Sequence, residues 1–136
     1  MTSKINPQRG EIWVVDFSKG NTSIEDEDYA LAKERVGSEI MKRRPALIVS
    51  IDSFSSFDIC TVIPITTWKH WHNDNLWFLV VNPSNQNGLT KSSSATVGQI
   101  QTVSYSRFGK HIGEIEENTL TEICAAIAAG IQYECP

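Results

Sequence analysis

Six short runs of β-forming residues, each cut off by turn residues, precede one stretch with helical spacing. That succession limits the chain to a small set of folds. The runs are Glu11–Phe17, Arg44–Ile51, Asp58–Thr66, Leu76–Val81, Ser93–Val103 and Lys110–Ile115. They are rich in Val, Ile, Thr, Trp and Phe, the residues that suit a pleated surface. Pro45 lacks an amide donor, so it restricts the second strand to a sheet edge or must lie among its first residues. The fifth run reads as one or two short strands, kinked at Gly98. Asn82–Gly88, "NPSNQNG", is a turn cluster. "IEDEDYALAKERV" (Ile24–Val36) begins with carboxylates and ends with cations, as a helix dipole favours, but its apolar face is thin; a short helix and a loop both fit.

Near the C-terminus, Leu120, Ile123, Cys124, Ile127 and Ile131 recur at helical spacing. Thr119 and Glu122 stand as a capping box. A helix over about Leu120–Tyr133 is therefore expected to lay its apolar stripe on the sheet. The whole predicts a mainly β chain, a small and strongly bent antiparallel sheet or barrel with a C-terminal helix. At 136 residues, with no internal repeat, it is expected to form one domain.

Composition removes several functional classes. No apolar run is long enough for a membrane helix, and "MTSKINPQRG" has no signal-peptide core, so a cytoplasmic protein is expected. Cys60, Cys124 and Cys135 are odd in number and lack C-x-x-C spacing, which argues against a disulfide framework and a zinc site. No cluster of His, Cys or carboxylates has metal spacing, and no dinucleotide, P-loop, zincin or nucleophile-elbow motif occurs; neither metal nor cofactor is expected. The formal charge of −4 is uneven. Residues 40–112 carry seven Lys/Arg against three Asp/Glu, whereas residues 113–136 carry five acids and no Lys or Arg. A phosphate responds to the charges within about a Debye length, so the basic middle matters more than the total.

Two segments hold candidate chemistry. In "GSEIMKRRPALIVS", Lys42, Arg43 and Arg44 lead into an apolar strand; in "VIPITTWKHWH", a strand ends in Thr66 and Thr67 and runs into Trp68, Lys69, His70, Trp71 and His72. If the two strands are antiparallel neighbours, Arg44 and Thr66 share one end of the sheet. A guanidinium fork and a hydroxyl there suit a phosphodiester and the extra charge of a pentacoordinate phosphorus. Each residue also has a plainer reading: Arg44 as the partner of a surface carboxylate, Thr66 as an ordinary strand residue. Trp68 and Trp71 suit stacking on unpaired bases with Lys69 on phosphate, or packing in a core or interface. For Trp13 and Trp77, inside strands, packing is expected.

The order of "RGEIWVVDF", "GSE", "RPALIVS", "TVIPITT", "NGL", "QIQTV" before "SRFGKHIGEI", and a final helix resembles the MazF/PemK-type toxins of bacterial toxin–antitoxin pairs. The resemblance implies a small SH3-like barrel, a homodimer, a cognate antitoxin as partner, and sequence-specific cleavage of single-stranded mRNA without a metal. On it, Arg44, Thr66 and Glu39 fall on catalytic positions. Lys42, Arg43, Thr67, Trp68, Lys69 and Gln99 fall on the substrate-binding side. The 2′-OH would attack the adjacent phosphate, leaving 2′,3′-cyclic phosphate and 5′-OH ends.

The chain departs from the pattern in two places. Gly98 stands where many members have an acid and Gln101 where they often have a base. Residues 18–36 form an acidic insertion, expected to lie over the basic groove as a partial lid; residues 1–8 are expected to be a flexible tail. The departures leave two other readings: a relative that binds RNA or antitoxin without cutting, and a gyrase-poison-like toxin acting on a protein.

Overall fold

The computed structural model describes residues 5–18, 40 and 42–133. The insertion beyond Ser18, the helix or loop over Ile24–Val36 and Glu39 lie outside the described residues. Seven strands form one bent, antiparallel sheet: β1 (Glu11–Asp16), β2 (Arg43–Ile48), β3 (Ile59–Thr67), β4 (Phe78–Val81), β5 (Ser93–Thr96), β6 (Gln101–Ser104) and β7 (Phe108–Glu114). The order is β4-β5-β3-β2-β1-β7, and β6 also pairs with β3. One helix, α1 (Glu117–Gly130), follows. No helix among the described residues is long and apolar enough to cross a membrane.

β3 is the pivot. Its first half, Ile59 to Val62, pairs with β6; its last three residues, Ile65 to Thr67, pair with β5. Pro64 stands between the two ladders, where β3 exchanges one partner for the other. Pro45 is the third residue of an interior strand. It fits because the β2–β3 ladder begins only after it, at Ala46 opposite Pro64. The fifth run divides, as its composition suggests, into β5 and β6 around a 3-10 turn at Val97–Gln99.

Both faces of the central strands are buried. Leu47, Val49, Ile63 and Ile65 face one core with Ile12, Ala95, Ile115 and Ile123 of α1; Ala46, Ile48, Cys60 and Val62 face a second with Val15, Phe17 and Val103. That is why "ALIV" shows no polar alternation. Fully burying each such aliphatic side chain contributes about 1.5–3 kcal/mol.

Three expectations are corrected. The helix begins at Glu117, with Glu116 as its N-cap, so Thr119 lies inside it and forms no capping box. Glu116 turns its carboxylate to the Ser84 hydroxyl at 2.6 Å, and Ile115, buried just before it, holds the helix start against the core. Ile131 lies beyond the helix and is exposed. The fourth strand starts at Phe78, not Leu76, because the Asn75 side chain accepts the Trp77 amide at 2.9 Å and holds a turn. Trp77 is thereby 39% exposed, outside the core.

The turn cluster before β5 is tied from within. Asn87, fully buried, donates to the Asn82 carbonyl at 2.8 Å and accepts the amides of Ser84 and Leu89, each at 3.0 Å. Gly88 follows in the left-handed region at φ 72°, against the Ile112 backbone of β7. Replacing Asn87 by Ala strands two amides and a carbonyl. It is expected to lower the unfolding free energy in urea by about 2–4 kcal/mol, whereas Ala at the exposed neighbour Asn85 should change it by less than about 0.5 kcal/mol.

Candidate functional site

β2 and β3 are antiparallel neighbours, so the expected arginine and threonine come to one end of the sheet. The ladder runs Ile48–Val62, Leu47–Ile63, Ala46–Pro64. Extended by two residues, this register sets Arg44 opposite Thr66. Side chains alternate along a strand, so both lie on the face of Ala46 and Val62, at the margin of the second core. Arg44 and Thr66 are each half-buried. On its other side Thr66 pairs with Ser94 of β5, and its Oγ1 stands 3.5 Å from the Thr96 Oγ1. The register thus brings an arginine and a group of hydroxyl residues to one end of the sheet, residue types suited to an anion.

The neighbouring residues separate. Thr67, opposite Ser93, faces the helix side of the sheet, away from Thr66. Arg43 is exposed and pairs with Asp16 of β1. Lys42 is exposed, in the left-handed region at φ 77°, and its carbonyl accepts the Phe17 amide at 2.9 Å. That turn delivers the three cations in succession to the start of β2.

A cleft of about 450 Å³ opens against the second core, lined by Phe17, Ile40, Gly98, Gln99, Val103 and Arg107 among others. Gln99 lines it and accepts the Ile40 amide at 3.4 Å. Arg44 and Thr66 are not among its lining residues. Sequence reasoning missed two residues here. Arg107 donates to the carbonyls of Asp16 at 3.1 Å and Ser18 at 2.6 Å, which fixes its charge at the cleft wall. Asp16 is held below the usual carboxylate range by hydrogen bonds from the Ser18 side chain and amide, helped by the charges of Arg43 and Arg107. The only signals were "SRF" and the acid ending β1, neither distinctive.

Beyond Thr67 the chain forms an aromatic cluster. Trp68 donates its amide to the Ser92 carbonyl and meets His72 edge-on at 5.2 Å. Lys69 is exposed, and its amide donates to His72 Nδ1 at 3.1 Å. His72 is buried and stacks on Phe78 at 4.1 Å; Trp71, 55% exposed, stands edge-on to both rings. Trp71 therefore offers an indole on a fixed base, and Trp68 is largely packed. His111 belongs elsewhere: it stacks on Trp13 and lies 3.5 Å from Glu11. No group of three or more His, Cys, Asp or Glu among the described residues could hold a metal ion.

Burial, with the nearby charge of Lys69, pushes the His72 pKa below its ordinary 6.5. The unfolded chain then binds the proton more readily than the folded one. Stability is complete above pH 6.5 and falls as pH drops through and below that value. Urea midpoints measured between pH 7 and pH 5 should fall more steeply for the parent than for His72→Gln. Parallel curves would remove His72 from this role.

MazF from Deinococcus radiodurans aligns over 95% of this chain and 99% of its own, with a TM-score of 0.69 at 15% identity. A mycobacterial endoribonuclease in complex with its cognate antitoxin aligns over 96% and 99%, with a TM-score of 0.65 at 20% identity. The Mycobacterium tuberculosis toxin MazF-mt6 aligns over 71% and 94%, with a TM-score of 0.60 at 23% identity. At these identities the likeness establishes the fold. No curated protein matches in sequence. The model of the PemK-like, MazF-like toxins matches residues 8–131, nearly the whole chain, from the turn before β1 to the end of α1. The chain therefore belongs to the PemK-like, MazF-like toxins of type II toxin–antitoxin systems.

Proposed function

We propose that the chain is the toxin of a type II pair and acts as a sequence-specific endoribonuclease on single-stranded mRNA. The observation that carries this reading is the register that aligns Arg44 with Thr66 in a chain of this family. The Arg44 fork binds two non-bridging oxygens of the scissile phosphate, and the Thr66 hydroxyl donates to one of them. Both interactions strengthen as negative charge builds on those oxygens during attack by the 2′-OH. The bond from phosphorus to the 5′ oxygen breaks, leaving a 2′,3′-cyclic phosphate and a 5′-OH. The attacking hydroxyl loses a proton and the leaving oxygen gains one. Arginine serves here as a donor, so Glu39 is the base we assign, from its sequence position alone.

Lys42, Arg43 and Lys69 neutralise flanking phosphates, and Trp68 with Trp71 takes an unpaired base. Gln99 and Arg107 read the nucleotide in the cleft beside them; Thr67, on the far face, supports Thr66 through the backbone. The partner of the same genetic pair, an antitoxin protein, is expected to compete for this basic face. An apolar groove of about 340 Å³ between Trp77, Val97, Ile100, Ile127 and Ile131 is the surface we assign to a homodimer, as exposed apolar patches commonly mark interfaces. A binder that does not cut is the second reading, favoured by Gly98. A Cβ at Gly98 meets nothing within 4 Å, so the missing carboxylate can be added without strain.

Cleavage of a long single-stranded RNA in EDTA, with cyclic-phosphate ends, is the expected result. Arg44→Lys should reduce it about 10²–10³-fold, because lysine keeps the charge and loses the fork. Activity that requires added Mg²⁺, or near-parent cleavage by the lysine variant, would overturn the mechanism. Gly98→Asp is expected to melt at the parent temperature and to cut faster; a folded variant with unchanged or lower activity would show that no acid is needed there.

A further inference from the structure

Ser94 of β5 is fully buried, and its hydroxyl has no hydrogen-bond partner among the described residues. Such a group costs stability, and native proteins hold few of them. Its place in the fold is specific. Ser94 is directly opposite Thr66, so the two side chains share one face, with Cβ atoms about 4.5–5.5 Å apart as in any such pair. Thr96, two residues on, lies on the same face; its hydroxyl is 3.5 Å from that of Thr66, the outer limit of a hydrogen bond. The Thr66 hydroxyl is thus weakly held from one side and has an uncommitted hydroxyl on the other.

We infer that Ser94 is a positioning residue for Thr66, engaged when ligand is bound. The inference rests on the reading of Arg44 and Thr66 as a phosphate site. To donate to a phosphate oxygen, Thr66 must turn its single O–H proton outward, which points its lone pairs back toward β5. The Ser94 O–H then donates to Thr66 Oγ1. This orients the Thr66 proton and raises its strength as a donor. Without a partner among the described residues in the free protein, Ser94 gains one in the complex, so the hydroxyl that weakens the fold strengthens the site. With Val80 of β4 on its other side, Ser94 has Thr66 as its directly opposed polar neighbour in the sheet.

The test is a double-mutant cycle on cleavage of a long single-stranded RNA of mixed sequence, with protein in excess, alongside thermal melting. Ser94→Ala is expected to slow cleavage at saturating protein about five- to tenfold, the value of one neutral hydrogen bond. The half-saturating concentration should stay within twofold, and the variant should melt at or above the parent temperature. In a Thr66→Val background the same change should have no further effect. Parent-rate cleavage by Ser94→Ala overturns the inference, as does equal slowing in both backgrounds. A fall in rate that follows a fall in melting temperature overturns it too, by assigning Ser94 to packing. If the parent protein cuts no RNA, the ribonuclease reading itself fails, and the inference fails with it; that outcome is visible before any variant is made.

Discussion

The burial of β2 and β3 on both faces governs the rest of the molecule. Ala46 and Ile48 pack into one core, Leu47 and Val49 into the other, and Val62, Ile63 and Ile65 divide in the same way. A one-residue slip of either strand would exchange these sets and pull apolar groups from both cores at once. The register is therefore held by several buried aliphatic side chains, each contributing on the order of 2 kcal/mol. Arg44 and Thr66 stand just past the packed part of the ladder, so the geometry of the polar site is set by apolar residues two positions away. Their positions need no side-chain flexibility to be coordinated, which suits a site that must present fixed dipoles to a developing charge.

Electrostatics work locally in this chain. Its formal charge of −4 is that of an acidic protein, yet Lys42, Arg43, Arg44, Lys69 and Arg107 surround one end of the sheet. Asp16 does not cancel this field so much as order it. Its carboxylate is held ionised by Ser18, and the Arg107 guanidinium is tied to the neighbouring carbonyls. The acids of residues 113–133 lie on and around α1, on the opposite core. Among the described residues, a phosphate at the start of β2 meets Lys42, Arg43 and Arg44 in succession, with Asp16 beside Arg43, so its local field differs from that of the net charge.

Where the sequence was legible, a regular period or a distinctive run carried the information. All the strands and the helix exist close to where their patterns place them, and the kink at Gly98 is the 3-10 turn between β5 and β6. The misjudged points turn on single polar side chains. Asn75 caps a turn and shortens β4, which exposes Trp77. Glu116 bonds Ser84 and the helix starts three residues before the Thr119–Glu122 pattern suggests. The Glu116–Ser84 bond joins residues 32 positions apart and could not be read from spacing; the Asn75–Trp77 bond is a local turn hidden by the apolar run that follows it.

From the sequence alone came the element order, the apolar strands, the cations leading into β2 and the threonines ending β3, together with a family pattern that the match over residues 8–131 bears out. These follow from local chemistry: side-chain branching, apolar periodicity and turn residues act within a few positions along the chain. Tertiary structure alone decided which face each residue presents. It separated Thr66 from Thr67, tied Arg107 to the Asp16 carbonyl, stacked His72 on Phe78, and left Ser94 buried beside Thr66 without a hydrogen-bond partner among the described residues. Those outcomes join residues up to 91 positions apart. They depend on strand register, and register is chosen by the packing of two cores at once, a property of the whole chain that no local window contains.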